Sequence, residues 1–446
     1  MQRCSKSDVL NSVFVVCVNY CTFAAFCILL PANDKCALDV NYITLILTIS
    51  ILFGLSDFLT TRVPQLQRLI YVIAAATIYL LFTIKYYYGA DMQHYYDYYE
   101  WSPSIRDALL HPSDYYFEQG YTVLCSVCKY AHISFYWFTA IISTLYFAVI
   151  FLLWRYIPRK RSFALMILVV LDYNLIFAAF RQCLSVSFFI LMVLALHNKR
   201  YLWAMLCAFL TVWMHKSGAF VVGISLAFWL IRGQRFPQWV YPLLLMLLLL
   251  LLVLPMSKIW LVAAQLLHLP GGYSASLMHH LGLGKQIQTV FLLYLMLLLC
   301  MSHFQQYAHT RFTTIASFVL TGTLLIVLLY QSYYLLGRLR SYFLPVIIVY
   351  LFRLIQQSES IHPVIPYGRL FKQTAVLSVF LYSAHLTYSF HRSAQQMKYP
   401  IYNACTVFDL NGHNKRELQQ RQLKLAKNWW KTDFHKGLKQ NQVSSL

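Results

Sequence analysis

Between Trp239 and Met256 the chain reads WVYPLLLMLLLLLLVLPM, with no charged residue. A run of this kind matches the hydrocarbon core of a bilayer, which takes ~20 apolar residues per helix. In lipid every backbone N–H and C=O must be paired within the protein, so such a run forms a helix. A membrane β-barrel would instead show ~10-residue alternating segments. None occurs.

The pattern recurs on both sides of this stretch. Hydropathy places apolar spans at Val9–Leu30, Leu38–Leu59, Leu66–Tyr88, Ser134–Ile157, Ser162–Phe180, Gln182–Leu196, Tyr201–Met214 and Ser217–Ile231. After Trp239–Met256 come Ile287–His303, Phe312–Gln331, Ser341–Gln356 and Leu370–Phe390. The expected fold is an all-α integral membrane protein, a polytopic bundle of about 12–13 transmembrane helices. Composition agrees. Hydrophobic residues make up 59% of the 446 and charged residues 11%, against about 25% charged in soluble domains. Val9–Leu30 follows Arg3 and Lys6 as a signal peptide would, but it is too long for an h-region and no small-x-small cleavage site follows. It reads as a retained anchor helix. Residues 1–390 thus form the transmembrane domain, with outer segments at 85–133 and 257–286, and residues 391–446 form a basic polar C-terminal tail.

The net charge of +21, from 36 Lys+Arg against 15 Asp+Glu, would suggest nucleic acid in a soluble protein. Here the basic residues sit mostly in short loops, where they set topology, and nucleic acid is not an expected partner. The 11 cysteines lie mostly inside apolar spans as small packing residues. Cys125 and Cys128 form a C-x-x-C with no second pair at metal-ligand spacing.

Basic short loops stay in the cytoplasm. Arg159-Lys160-Arg161, Lys199-Arg200, Arg232 with Arg235, and Arg62 with Arg68 all fall on one side if the spans alternate. The segment from Lys85 to Glu118 falls on the other. It holds Asp91, Asp97, Glu100, Asp107, Asp114 and Glu118, six of the chain's 15 acids. Gln119–Ile133 reads as a helix at the outer interface. Thirteen alternating spans also place the tail outside, although it is rich in Lys and Arg. Either a late span is miscounted or the tail is exported.

Alternation gathers a set of polar residues on the outer face: Asp91, Glu118, Arg181, His215, Lys216, Arg338, Arg340 and Tyr402. Gln182–Leu196 and Tyr201–Met214 are ~15 residues each, short of the ~20 needed to cross. Arg181 and His215 are therefore expected below the outer headgroups. An ionisable residue at that depth is a functional-site candidate, although snorkelling or a helix-fixing ion pair would also place one there. The acidic segment is dense in tyrosine, including Tyr86 to Tyr88, Tyr95, Tyr96, Tyr98 and Tyr99. An interfacial aromatic belt accounts for part of it. Aromatic faces beside carboxylates also suit a sugar-binding surface. Gly282-Leu283-Gly284-Lys285 lacks P-loop spacing, and His268, His279 and His280 have no acid or cysteine nearby, so neither is read as a site.

Arginine suits phosphate, because its guanidinium fork binds two oxygens at once. A lipid-linked diphosphate carries its head group at this depth. A carboxylate or His accepts a proton from an attacking hydroxyl, while arginines stabilise the departing diphosphate. The set fits glycosyl transfer from a lipid-diphosphate donor, with no metal or cofactor required.

Five motifs in order carry a resemblance: Gly89-Ala90-Asp91; Glu118-Gln119-Gly120-Tyr121; Arg181-Gln182; His215-Lys216-Ser217-Gly218-Ala219; and Gly337-Arg338-Leu339-Arg340-Ser341-Tyr342-Phe343. With them the chain resembles the EpsG family, a branch of Wzy-type polysaccharide polymerases, from about Tyr88 to Phe343. It departs at the family's closing Pro-Tyr pair, which here reads Tyr399-Pro400-Ile401-Tyr402. Two arginines, Arg338 and Arg340, also stand for one family position. The resemblance implies a fold similar to C-type glycosyltransferases. It implies an enzyme at the outer, periplasmic face of the bacterial inner membrane, joining repeat units of O-antigen, capsule or exopolysaccharide. Donor and acceptor would be oligosaccharides on undecaprenyl diphosphate, and a chain-length regulator stays open as a further partner. Asp91, Glu118, Arg181 and His215 become the catalytic candidates. Arg338, Arg340, Lys216, Tyr95, Tyr121, Gln182 and Tyr402 become the substrate-binding candidates.

Two other classes share part of this chemistry. A flippase for the same lipid-linked sugar also needs cations against phosphate, but transporters commonly show repeats and a midplane site, and no repeat is evident here. A membrane acyltransferase with His215 as base lacks a second polar residue in the same helix. The topology has a direct test. Cysteines placed beside Asp91, Arg181, His215 and Arg338 are expected to react with an impermeant reagent in intact cells, and one beside Arg200 is not. The opposite pattern rejects this orientation.

Overall fold

The structure is a computed structural model, and it describes residues 42–60, 63–86, 92–231 and 333–361, with isolated positions at 246, 319, 322, 380, 381, 383, 384, 387, 405 and 406. Asp91, Tyr402 and the outer segment 257–286 lie outside the described residues. So do the Val9–Leu30 and Ile287–His303 spans, nearly all of Trp239–Met256, Phe312–Gln331 and Leu370–Phe390, and the tail apart from 405 and 406.

The described chain is helical: α1 Tyr42–Leu59, α2 Pro64–Thr83, α3 Met92–Glu100, α4 Ile105–Leu110, α5 Gln119–Tyr130, α6 Phe135–Trp154, α7 Arg161–Ala178, α8 Phe180–His197, α9 Tyr201–Met214, α10 Ser217–Ile231 and α11 Tyr333–Ile361. The strands among the described residues are two-residue pieces, β1 Lys85–Tyr86 and β2 Cys405–Thr406, paired antiparallel. This pairing brings Cys405 and Thr406 to the end of α2 that leads into the acidic segment. Three described helices are long and apolar enough to cross a membrane: α2, α6 and α8, of 20, 20 and 18 residues. Shorter apolar helices include α9 and parts of α1 and α10.

Local chemistry sets the boundaries. Pro64 starts α2, where its missing N–H costs nothing. Helices α5 and α8 end in Schellman turns. Ile133 N–H donates to Cys128 O and Arg200 N–H to Ala195 O, with His132 and Lys199 at φ 56° and 58°, in the left-handed position usually taken by glycine. These tight reversals let α8 run antiparallel along α9. Helix α6 packs on α8, and α1 packs on α7.

Three expectations change. The Gln182–Leu196 span is not short: α8 starts at Phe180 and runs 18 residues, so Arg181 lies within its first turn rather than at a sunken helix end. What buries Arg181 is surrounding protein. Between Met92 and Glu118 the outer segment, read as a loop, holds α3, α4 and a 3₁₀ turn at Pro112–Asp114, while the helix read at Gln119–Ile133 is α5. Arg338 and Arg340 do not precede a helix. They sit inside α11, which begins at Tyr333.

One buried acid fixes the end of the bundle away from α3–α5. Asp57 on α1 is 0% exposed, and its Oδ2 accepts from the backbone N–H of Ser162 at 2.8 Å and of Phe163 at 3.2 Å. A helix starts with four unpaired N–H groups, and Asp57 satisfies two of those of α7 from a different helix. Asp57→Ala is expected to lower stability by about 1–3 kcal/mol, the cost of leaving buried donors unpaired. Asp57→Asn, which keeps an acceptor oxygen, should lose less. Thermal unfolding of the detergent-solubilised protein measures both, and equal stability of the Ala variant and wild type rejects the capping role.

Candidate functional site

Glu118 is the residue before α5, with extended backbone at φ −60° and ψ 144°. From that position a side chain ordinarily caps its own helix. Glu118 does not. Its carboxylate turns across to two other helix ends. Oε2 accepts from Nη1 of Arg181, the second residue of α8. Oε1 accepts from His215 Nδ1 at 2.9 Å and from the backbone N–H of Lys216 at 3.2 Å. His215 itself ends α9 with extended backbone, φ −158° and ψ 128°. One carboxylate therefore ties the start of α5, the start of α8 and the α9–α10 turn.

The neighbours of Glu118 and His215 explain how these ends come so close. Gln119 Oε1 accepts from Trp213 Nε1 at 3.2 Å, and its Nε2 donates to Leu109 O at 3.0 Å. Gly120 lies directly against α9: a Cβ there would stand 2.6 Å from Trp213 O and 2.8 Å from its ring. On the other side of the turn, a Cβ at Gly218 would stand 2.6 Å from Thr211 O and 3.0 Å from Ser185 Oγ. Behind them runs a chain of hydroxyls. Tyr342 donates to Ser185 Oγ at 2.8 Å and Ser185 donates to Thr211 O at 2.7 Å, so Ser217 must donate to Tyr342 across 3.1 Å. This chain joins α8, α9, α10 and α11.

The trio is largely buried, with side-chain exposures of 8% for Glu118, 18% for Arg181 and 8% for His215. Burial alone pushes the Glu118 carboxyl up. The hydrogen bond from His215 and the charge of Arg181 outweigh it and hold the carboxyl well below the usual carboxylate range. Glu118 is thus ionised at neutral pH and is a poor proton acceptor. With Nδ1 of His215 donating to it, a neutral His215 ring carries its lone pair on Nε2. The Arg181 guanidinium lies 4.1 Å from the centroid of the Phe117 ring and 5.8 Å from that of Tyr95, within cation–π range. Its Nε–H is buried and meets no hydrogen-bond acceptor among the described residues.

The other candidates are placed as follows. Tyr95 and Tyr121 are 4% and 0% exposed. The Tyr95 ring packs on Phe117, Tyr121 and Phe180, and that of Tyr121 packs on Phe117 and Phe138. Their faces are covered by protein, and they form the aromatic floor that supports Arg181 and Phe117. Gln182 is buried at the start of α8 and Lys216 is exposed. Arg340 is apart from the trio: its Nη2 donates to Leu171 O and lies 4.0 Å from Asp172 Oδ1. Arg338 is in α11, but its side chain lies outside the described residues. No group of three His, Cys, Asp or Glu side chains with metal-binding spacing occurs among the described residues.

Asp172 is the residue that reading the sequence by helix ends misses. It is a lone acid in the middle of an apolar span, which is itself a signal of function. Ser185 carried no signal, because serine at a helical position is ordinary; Ser217 and Tyr342 lay inside the motifs of the resemblance but were not singled out.

A layered set of helix ends, holding arginine and histidine against one buried carboxylate, defines a helical membrane protein with a charged site at one end of its bundle. Residues 68–400 match the EpsG family, so the chain belongs to the EpsG family, a family of Wzy-like polysaccharide polymerases. Comparison with curated proteins and with solved structures gives no significant match.

The glycine contact gives a sharp expectation. Gly120→Ala forces α5 off Trp213 and draws Glu118 away from His215, an overpacking cost of roughly 1–3 kcal/mol. Polymer should fall steeply at matched membrane levels. Gly223→Ala is the control, since a Cβ at Gly223 meets nothing within 4 Å. Equal polymer from the two variants rejects the close-approach role of Gly120.

Proposed function

We propose that the chain polymerises lipid-linked oligosaccharide repeat units into O-antigen, capsular polysaccharide or exopolysaccharide. In this reading it works at the outer face of the bacterial inner membrane, on a bundle of about 12–13 helices similar to C-type glycosyltransferases. The donor is the growing chain on undecaprenyl diphosphate and the acceptor is the next lipid-linked unit. The observation that carries the proposal is the Glu118–Arg181–His215 cluster, formed by three of the five motifs that mark the family.

In the proposed reaction a hydroxyl of the acceptor attacks the anomeric carbon of the donor. The new glycosidic C–O bond forms as the C–O bond to the diphosphate breaks. His215 Nε2 takes the hydroxyl proton, with Glu118 holding the ring through Nδ1 and stabilising the imidazolium that results. Arg181 receives the departing diphosphate. Its Nη1 serves Glu118, and its Nε–H, which meets no acceptor among the described residues, is a donor for a phosphate oxygen. Charge that develops on the leaving group meets a cation already fixed in a dry site, where it needs no reorganisation. Asp91 orients the acceptor. Lys216, Arg338, Arg340 and Tyr402 add contacts to the diphosphate and sugars, and Gln182, Tyr95 and Tyr121 support them.

Arg181→Lys tests the proposal. Lysine is a point charge and does not reproduce the fork, so the variant should lose roughly 10²-fold or more of polymer synthesis, as lost oxyanion donors do. A purely helix-anchoring arginine would be replaced well by lysine, which snorkels equally. Polymer amount and length are read at matched membrane expression and matched thermal unfolding. Near-normal polymer rejects the diphosphate role. The deletion strain separates the reaction classes: single repeat units still displayed indicate a polymerase, and loss of all surface repeat units indicates a flippase.

A further inference from the structure

The described residues contain a second guanidinium–carboxylate pair, and it stands at the same end of the bundle. Asp172 is 2% exposed and lies where α7 leaves helical geometry, at φ −130° and ψ 19°. Its Oδ1 accepts from Ser341 Oγ at 2.6 Å and faces Arg340 Nη2 at 4.0 Å. Its Oδ2 is buried and meets no hydrogen-bond donor among the described residues. Arg340 is the more open member, with 21% side-chain exposure against 2% for Asp172.

The depth of Arg340 follows from contacts along two helices that run the same way. The Tyr342 hydroxyl reaches Ser185, and the rings of Tyr342 and Phe343 pack on Phe189 at 5.6 and 5.3 Å. Further on, Arg353 Nε donates to Tyr156 O, and the Tyr156 ring packs on His197 at 5.4 Å. Residues 342 and 353 of α11 are thus level with about 185–189 and 197 of α8. At 1.5 Å per residue, Arg340 lies ~3 Å before Tyr342 and Arg181 lies ~6 Å before Ser185. Measured from the Tyr342–Ser185 contact, Arg340 therefore sits about 3 Å deeper than Arg181.

We propose that Asp172 is a positioning residue that holds the Arg340 guanidinium, with Ser341 steadying the carboxylate, so that Arg340 forms the deeper half of an anion site whose shallower half is Arg181. The ligand class is a diphosphate on a lipid carrier, and this rests on the reading of Arg181 as a diphosphate-binding residue. An acid in the apolar middle of a membrane helix is costly. A buried carboxylate behind a more open arginine keeps the arginine from snorkelling away and fixes the direction of its fork. Each arginine of the site then has its own carboxylate: Glu118 for Arg181 and Asp172 for Arg340. A diphosphate, with oxygens on two phosphorus atoms, is the group that engages two guanidinium forks set at different depths.

The experiment measures binding of undecaprenyl diphosphate, with undecaprenyl monophosphate alongside, to the purified full chain in lipid nanodiscs. Asp172→Asn keeps size and an acceptor for Ser341 but removes the charge. It should weaken diphosphate binding roughly 10-fold or more, as loss of carboxylates that orient metal-binding histidines does, and should narrow the preference for diphosphate over monophosphate. In an Arg340→Gln background the same change should add little, because Asp172 acts through Arg340. Where Asp172→Asn fails to fold, Ser341→Ala serves, with a smaller loss expected. Wild-type affinity in whichever of these variants folds, or full additivity with Arg340→Gln, overturns the positioning role. If Arg181→Lys weakens binding and Asp172→Asn does not, this inference fails alone. If the wild-type chain binds no diphosphate, the donor reading fails with it.

Discussion

The site depends on one buried carboxylate. Glu118 has two oxygens and accepts from Arg181, His215 and the Lys216 backbone. Those donors come from separate helix ends. Without Glu118, a guanidinium and an imidazole would face each other in a region largely closed to water, where an unpaired charge is expensive. With it, the helix ends have a reason to meet. The close packing follows from this constraint. Gly120 is a glycine because α5 must touch the Trp213 backbone for Glu118 to reach His215, and Gly218 is one because the turn after His215 folds back on Thr211.

The same constraint accounts for the aromatic layer over this end. A stacked arginine needs a flat apolar support, and Phe117 and Tyr95 provide it. Tyr121 and Phe138 support those rings in turn. Tyrosine suits the task because one end of the ring is polar. Tyr99 OH donates to Ile133 O and Tyr98 OH pairs with Thr122 Oγ1, so α3 is anchored to the helices beneath it. Burial, eased by the hydrogen bond with Thr122, pushes the Tyr98 phenol up to about 12, and it remains neutral across the physiological range.

Much of this was legible from residue order, and the failures have physical causes. Apolar runs marked the helices well: Tyr201–Met214 and Ser217–Ile231 were read with the bounds they have. Hydropathy set the start of α8 too late, because Arg181 interrupts the apolar run although the helix passes through it. Pairing with Glu118 removes the cost that the scale assigns to the charge. The same error hid the first two turns of α11, where Arg338 and Arg340 also lower the average. Tyr95 was left between an aromatic belt and a sugar surface, and its 4% exposure was not legible because sequence gives ring chemistry but not which face is covered. Glu118 was considered for the base or for orienting the acceptor, from its place at the edge of the outer Tyr-rich segment. Only the structure shows its three donors, which come from residues 63 to 98 positions away.

Such a site must be stable both empty and filled. Two bare arginines at membrane depth would draw water or lipid phosphate between turnovers and would cost the bundle stability while vacant. Pairing each with a carboxylate makes the empty site close to neutral. The pairing must not be so tight that substrate is refused. In Arg181 Nη1 donates to Glu118, and the buried Nε–H meets no acceptor among the described residues. Arg340 stands 4.0 Å from Asp172 rather than in a close bidentate pair. On the proposed reading, an arriving diphosphate engages both guanidinium groups, and the departing product returns each arginine to its own acid. Selectivity for a diphosphate over a single phosphate then comes from the difference in depth between the two forks, a distance set by the register of α8 against α11.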